Sequence, residues 1–170
     1  YRGRIDGVIS NNEQFGALIA AVVAKLMGLP GTDPAVIIAA QHKYYARCLQ
    51  QKILPEATPK FAVFPYHVRS AGDCGLPFPF YVKPVKATYS VLARTVGHFD
   101  ELRAHLTFNP LETLIIRKLV KPFNDLMARY TPFDIDAHHL IAEEIMTGVQ
   151  VNVDGYVDRK STRLNSSHSQ

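Results

Sequence analysis

Apolar residues at Phe15, Leu18, Ile19, Val22, Val23 and Leu26 recur at helical spacing and predict a helix with one apolar face. Asp6–Ile9 ahead of it reads as a short strand, and Ser10-Asn11 as the helix cap. Gly28-Leu29-Pro30-Gly31 stops the helix. Thr32-Asp33-Pro34 then opens a second one, with Pro34 in the first turn, where its missing N–H is not needed. This helix is predicted to run to about Leu49 and sets Lys43 and Arg47 four residues apart on one face. Short apolar runs at Phe61–Phe64 and Phe80–Val82 predict strands, with a glycine-containing polar loop over Tyr66–Leu76 between them. Tyr89–Ala93 reads as the next strand. Asp100 caps a helix that turns Leu102 and Leu106 inward. Asn109-Pro110 starts another, with Glu112 in capping-box position and Leu111, Leu114, Ile115 and Leu119 facing inward. Pro122 ends or kinks it, and a shorter helix follows over Phe123–Tyr130. Leu140–Met146 reads as a strand and Thr147-Gly148 as a turn. Val149, Val151 and Val153 then alternate with polar residues, as in a half-buried antiparallel strand.

Helices and strands thus follow one another in an α/β order, and 170 residues suffice for one core, or a lobe plus part of another. A composition 47% hydrophobic and 20% charged is that of an ordinary soluble globular protein. The apolar stretch Phe15–Met27 is interrupted by Lys25 and falls short of a bilayer span, so no membrane partner is expected. The net charge of +4 hints at nucleic acid, but the last twelve residues, RKSTRLNSSHSQ, hold three of the nineteen Lys and Arg and no acid. Without them sixteen scattered bases face fifteen acids, which argues against a nucleic-acid partner. That stretch, 159–170, has no periodic apolar pattern; it reads as a disordered, artefactual tail resembling a translated adapter. Cys48 and Cys74 have no CxxC spacing and read as free thiols in a reducing, cytoplasmic compartment, with a single disulfide as the other reading. His138 and His139 are adjacent, so their side chains diverge and do not make a ligand pair.

The chemistry concentrates in Phe78–Arg94, FPFYVKPVKATYSVLAR, which puts Lys83 at the end of one strand beside a short loop that re-enters another. Such a lysine reads either as a strand-end cation reaching solvent or as a grip on a polyphosphate. For Lys43 and Arg47 the plainer reading is stronger, because most charged pairs on a helix are simply its wet face. Glu143-Glu144 lies on a strand flanked by Ile141, Ala142, Ile145 and Met146, and a covered carboxylate requires a donor. The chain contains neither GxxxxGK[ST] nor GxGxxG.

Four segments in order resemble the ATP-grasp superfamily of carboxylate–amine ligases, over nearly all of Ile5–Val157. GLPGTDPAVIIAAQHKYYARCLQ is similar to the family's small-residue turn and "DK…R" element. FPFYVKPVKATYSVLAR resembles its "P…VKP…S.GV" strand-loop-strand, FDELRAHL the helix that follows, and HLIAEEIMTGVQVNVDGY the "EE…G.E..V.G" hinge. The resemblance implies an incomplete ATP-grasp fold. Residues 1–31 would be the end of a preceding Rossmann-like α/β domain, and 32–158 the first part of the ATP-grasp domain, with a lid subdomain at about 60–142. It implies that Lys43 approaches the phosphates of ATP, that Lys83 reaches the α/β-phosphates or the adenine edge, and that Glu143 accepts from the adenine amino group. Glu144, Ile145 and Met146 would line the hinge, and Lys86–Ser90, with Ser90, would form the lid. It further implies Mg²⁺ bridging the phosphates, and small-molecule carboxylate and amine substrates joined through an acylphosphate. Nothing in the sequence fixes an oligomeric state.

Three positions depart from the family pattern. Ala87-Thr88 stand where glycine is common in the lid, His42 where aspartate often precedes the lysine, and Gln150 where glutamate is usual. The family's metal-binding acids and substrate-binding arginine lie downstream of the hinge strand. The sequence is therefore expected to be a fragment of a ligase or, alternatively, of a degenerate non-catalytic nucleotide-binding or structural module.

Overall fold

The computed structural model describes residues 3–87, 92–149, 151–157 and 162–168. The first helix, α1 (Phe15–Met27), starts where Asn12 Oδ1 accepts from the backbone N–H groups of Gln14, Phe15 and Gly16. The Ser10 hydroxyl braces Asn12 in turn. The cap therefore sits one residue beyond Ser10-Asn11, and Asp6–Ile9 is irregular rather than a strand. Gly28 ends α1 at φ 68°, a left-handed position that suits glycine. Asp33 caps α2 (Pro34–Gln41) by accepting from Ala35 N–H at 2.8 Å.

The long second helix expected to reach Leu49 is instead two. His42 adopts an extended ψ of 99°, and α3 (Lys43–Ile53) begins afresh. At the break the Lys43 N–H leaves the helical ladder and donates to Val85 O at 2.9 Å, which ties the start of α3 to the end of the neighbouring strand. A 3-10 turn at Pro55–Ala57 leads into β1 (Phe61–Pro65), and another at Ala71–Cys74 precedes β2 (Phe80–Pro84).

Of the strand expected at Tyr89–Ala93, the described residues Leu92 and Ala93 are not strand, and β3 (Arg94–Val96) starts only after them; Thr88–Val91 lie outside the described residues. His98, not Asp100, caps α4 (Phe99–His105). Asn109 and Glu112 form the expected capping box of α5 (Pro110–Tyr130), which continues through Pro122 without ending there. Leu111, Leu114, Ile115 and Leu119, expected to face inward, are exposed; α5 packs through Val120, Phe123 and Met127 instead.

Four strands form one antiparallel sheet in the order β1-β4-β2-β3, with β4 (His139–Glu143) in the middle. The expected strand through Met146 stops at Glu143. One face of the sheet carries Phe64, Phe80, Val82, Val96, Leu140 and Ala142 against Tyr66, Cys74 and Leu102 of α4. The other carries Ile141, Phe61 and Val63 against Leu18 of α1, Ile38 of α2 and the buried stripe of α5. Burying both faces explains why β4 reads as a near-continuous apolar run. The result is a mixed fold of helices and antiparallel sheet, in keeping with the expected α+β lobes.

Separately, β5 (Val151–Val157) pairs antiparallel with β6 (Thr162–His168). The polar composition of 159–170 predicts disorder, so β6 is a correction over 162–168. A strand ladder draws on backbone groups, which a polar stretch supplies as well as an apolar one.

Candidate functional site

Strand register brings two of the expected residues together. Lys83 lies opposite Ile141 and Tyr81 opposite Glu143, so Lys83 and Glu143 share a face as diagonal neighbours on adjacent strands. Lys83 Nζ is 2.5 Å from Glu143 Oε2. Arg47 reaches the same carboxylate from α3, its Nε donating to Oε1 at 2.8 Å. Glu143 is only 5% exposed. Burial by itself would raise its carboxyl, but the hydrogen bonds and charges of Arg47 and Lys83 outweigh that and hold it below the ordinary glutamate value.

Lys43 sits one turn before Arg47 and donates through Nζ to Ala87 O at 3.2 Å, at the root of the expected lid. Burial first, and the charge of Lys83 second, push its pKa down to about 8, against an opposing pull from Glu143. Arg47 and Lys83 thus share one carboxylate, and Lys43, held on Ala87 O, lies close enough to feel the charges of both Lys83 and Glu143, so positive charge is in excess and partly out of water. Such a cluster favours an anion beside it.

Beyond Glu143 the chain turns along an open groove. The Glu144 N–H donates to Lys60 O at 2.9 Å and its Oε2 accepts from Lys60 N–H at 3.3 Å, which fastens this stretch to the foot of β1. Glu144, Ile145 and Met146, with Thr147 and Glu56–Pro59, line a cleft of about 320 Å³. A second cleft of about 340 Å³, lined by Arg47, Gln50, Ile53 and Leu54, shares Ala57 and Thr58 with the first. Together they lead from the Arg47 end of the cation cluster to the expected hinge residues.

Ser90 lies outside the described residues, as do Thr88 and Tyr89 of the expected lid and Gln150. Lys86, the first residue of that lid, is buried and donates to Gln14 Oε1 and Gln41 Oε1. Arg47 is the participant that the sequence did not single out. Its only signal was the spacing of four from Lys43, and most such pairs face solvent.

His42, standing where the resemblance leads one to expect aspartate, is fully buried against Tyr45 and Phe123, and among the described residues neither ring nitrogen has a hydrogen-bond partner. Burial pushes its pKa down to about 4 and keeps the ring neutral. It marks the helix break that aims Lys43 at the sheet.

The donor set fits phosphates, which ammonium and guanidinium groups bind, and a base edge beside a carboxylate. It does not fit Mg²⁺. Both Glu143 oxygens are engaged by cations, and no group of three or more His, Cys, Asp or Glu side chains able to hold a metal occurs among the described residues.

No protein-family model matches the chain, and no curated protein matches it in sequence. Solved structures do match in fold. An L-amino acid ligase from Bacillus licheniformis superposes with TM-score 0.63 at 18% identity, covering 95% of this chain and 32% of its own. A D-alanine-D-alanine ligase from Helicobacter pylori gives 0.54 at 18%, covering 88% and 41%. The Bacillus anthracis D-alanine-D-alanine ligase complexed with ATP gives 0.54 at 13%, covering 99% and 55%. This chain therefore spans between about a third and just over half of the proteins it resembles. At such identities it is the fold that is shared, and the fold of this chain is part of an ATP-grasp fold.

Proposed function

We propose that the chain is the ATP-binding portion of an ATP-dependent carboxylate–amine ligase. Lys43 and Lys83 hold the phosphates, and Arg47 orients Glu143. Glu143 accepts from the adenine amino group, and Glu144, Ile145 and Met146 line the base along the groove, with Ser90 assigned to the lid. Residues 1–31 are read as the end of a preceding α/β domain and 32–158 as the first part of the ATP-grasp domain. The whole protein would act in the cytoplasm on a small-molecule carboxylate and an amine.

The arrangement that supports this reading is the convergence of Arg47 and Lys83, from two separate elements, on the buried carboxylate of Glu143, with Lys43 near enough to feel its charge. In the proposed reaction a carboxylate oxygen attacks the γ-phosphorus and ADP leaves. The amine nitrogen then attacks the acyl carbon, phosphate leaves, and the amine gives up a proton. Fixed cations suit the first step because phosphoryl transfer depends on positioning and on neutralising charge at the oxygens. Mg²⁺ is assigned to none of the described residues.

Calorimetric titration of the chain with ATP, GTP and tripolyphosphate tests this reading. Saturable binding of ATP is expected, weakened about 10- to 100-fold in Lys83→Met and Lys43→Met, as loss of a charge-assisted hydrogen bond implies. GTP should bind more weakly than ATP. Absence of ATP binding, or ATP binding unchanged in both variants, overturns it.

A further inference from the structure

Lys86 does something the phosphate cluster does not require. It is 5% exposed, yet no acid forms an ion pair with it among the described residues. Its Nζ donates to two neutral amide oxygens, Gln14 Oε1 at 3.1 Å and Gln41 Oε1 at 3.0 Å. The rings of Phe15 and Phe123 each lie 5.2 Å from it. The adjoining residues Thr88–Val91 contain no Asp or Glu that could serve as counter-ion. An ammonium has three donors, and among the described residues these two amides take two of them. Glu13 acts on Lys86 only through its charge, without an ion pair, and a buried cation lacking a paired counter-ion is costly unless something of opposite sign joins it.

Beside Lys86 opens a cleft of about 110 Å³, walled otherwise by Phe15, Tyr66, Leu92, Ile116 and Leu119, with Pro84, Ala87 and Val120. Its lining is largely apolar, with Lys86 as the one charged residue and Tyr66 carrying a hydroxyl, and it is smaller than the pockets that hold drug-sized or nucleotide ligands.

We propose that this cleft binds a small monocarboxylate with an apolar body, its carboxylate on Lys86 and its hydrocarbon between Phe15, Leu92, Ile116 and Leu119. One cation in an apolar wall matches one negative charge on an apolar ligand; inorganic phosphate, with more charge and no apolar part, is poorly matched. The inference rests on the ligase reading only where it names this acid as the substrate to be activated. Binding itself needs no nucleotide.

The test is a nucleotide-free titration of the whole chain with isovalerate, followed by NMR at the methyl groups of Ile116, Leu119 and Leu92. Isovaleramide and inorganic phosphate serve as comparison probes. Isovalerate should shift these methyls saturably and bind at least about tenfold more tightly than either comparison probe, the share expected of a charge-assisted hydrogen bond. Lys86→Gln should abolish the preference for acid over amide. Gln14→Glu, which leaves the lysine in place and supplies an internal counter-ion, should abolish it too, and serves if Lys86→Gln fails to fold. Equal binding of acid and amide by the unaltered chain overturns the proposal, as do phosphate binding as tightly as isovalerate, absence of methyl shifts, or a preference that survives Gln14→Glu. ATP titrated into the same samples separates the two readings, because failure of nucleotide binding with intact isovalerate binding overturns only the ligase assignment.

Discussion

Glu143 holds the candidate site in its ligand-free geometry by occupying two cations at once, and replacing it with Gln separates its two roles. Glu143→Gln keeps the shape but leaves Lys83 and Arg47 without a counter-charge. Both cations are partly exposed, so the loss of stability should be about 1–2 kcal/mol, below the figure for a fully buried pair. The freed charge should tighten tripolyphosphate binding at low salt while the preference for ATP over GTP shrinks; calorimetry on the variant checks both. Unchanged base preference would remove Glu143 from the adenine assignment. Of the residues gathered here, Lys83 and Glu143 were legible because each ends an apolar run, and Lys43 because its segment resembles a known pattern. Arg47 was not, since a helical cation declares its partner only once the sheet register is known. His42 was legible as an anomaly but not as a buried neutral ring. Its folded pKa of about 4 lies below the ordinary 6.5, so between these values the unfolded chain binds a proton that the native chain does not. Stability should therefore fall as pH drops from about 6.5 toward 4, by up to roughly 3 kcal/mol. His42→Phe, which packs against Tyr45 and Phe123 without polar atoms, should flatten that slope in denaturant melts across the window. An unchanged slope would show that another group carries it.

Elements begin and end where local signals are strong, and they run past expectation where tertiary packing overrides those signals. The Asn109–Glu112 capping box and the Gly28 terminus are where the sequence puts them, because caps depend on nearest neighbours. Pro122 misleads because its lost hydrogen bond is local, while Val120, Phe123 and Met127 on either side are buried in one core and hold α5 continuous. The same helix hid its orientation, since apolar residues lie on two faces and only contact with α1, α2 and the sheet selects one. The break at His42 was equally illegible, because the bond that fixes it runs from Lys43 N–H to a carbonyl more than forty residues away. Pro122 is exposed, so Pro122→Ala removes no core packing and restores an N–H for the Lys118 carbonyl. Stability should rise by about 1–3 kcal/mol, or several degrees in Tm for a chain of this size. Calorimetric melting checks it, and a fall in Tm would mean that the proline shapes α5 for its neighbours.

Across the whole molecule, positive charge is stored where water is scarce. Burial and then the charge of Lys83 push Lys43 down to about 8, and burial and then the charge of Lys43 push Lys86 to about the same value. Glu143 and Glu13 pull the other way, on Lys43 and Lys86 respectively, without restoring the ordinary 10.5. From about pH 8 up to the ordinary lysine value the unfolded chain binds protons that the native chain has released, so the ligand-free protein should gain stability as pH rises through that window. A bound polyanion reverses the balance, because negative charge beside Lys43 favours its protonated form. Binding of tripolyphosphate or ATP near pH 8 should therefore take up part of a proton, up to about one-half per ligand, because Lys43 is already half protonated there. Titrations in two buffers of different ionisation enthalpy measure this directly, since the apparent binding heat then differs by the protons transferred times the difference in buffer heats. Lys43→Met should remove most of the uptake, whereas Lys86→Gln should remove little, because Lys86 faces its own cleft. Equal heats in the two buffers would mean that the cluster is already fully charged without its ligand, and the anion would then be a guest of the site rather than the partner that completes it.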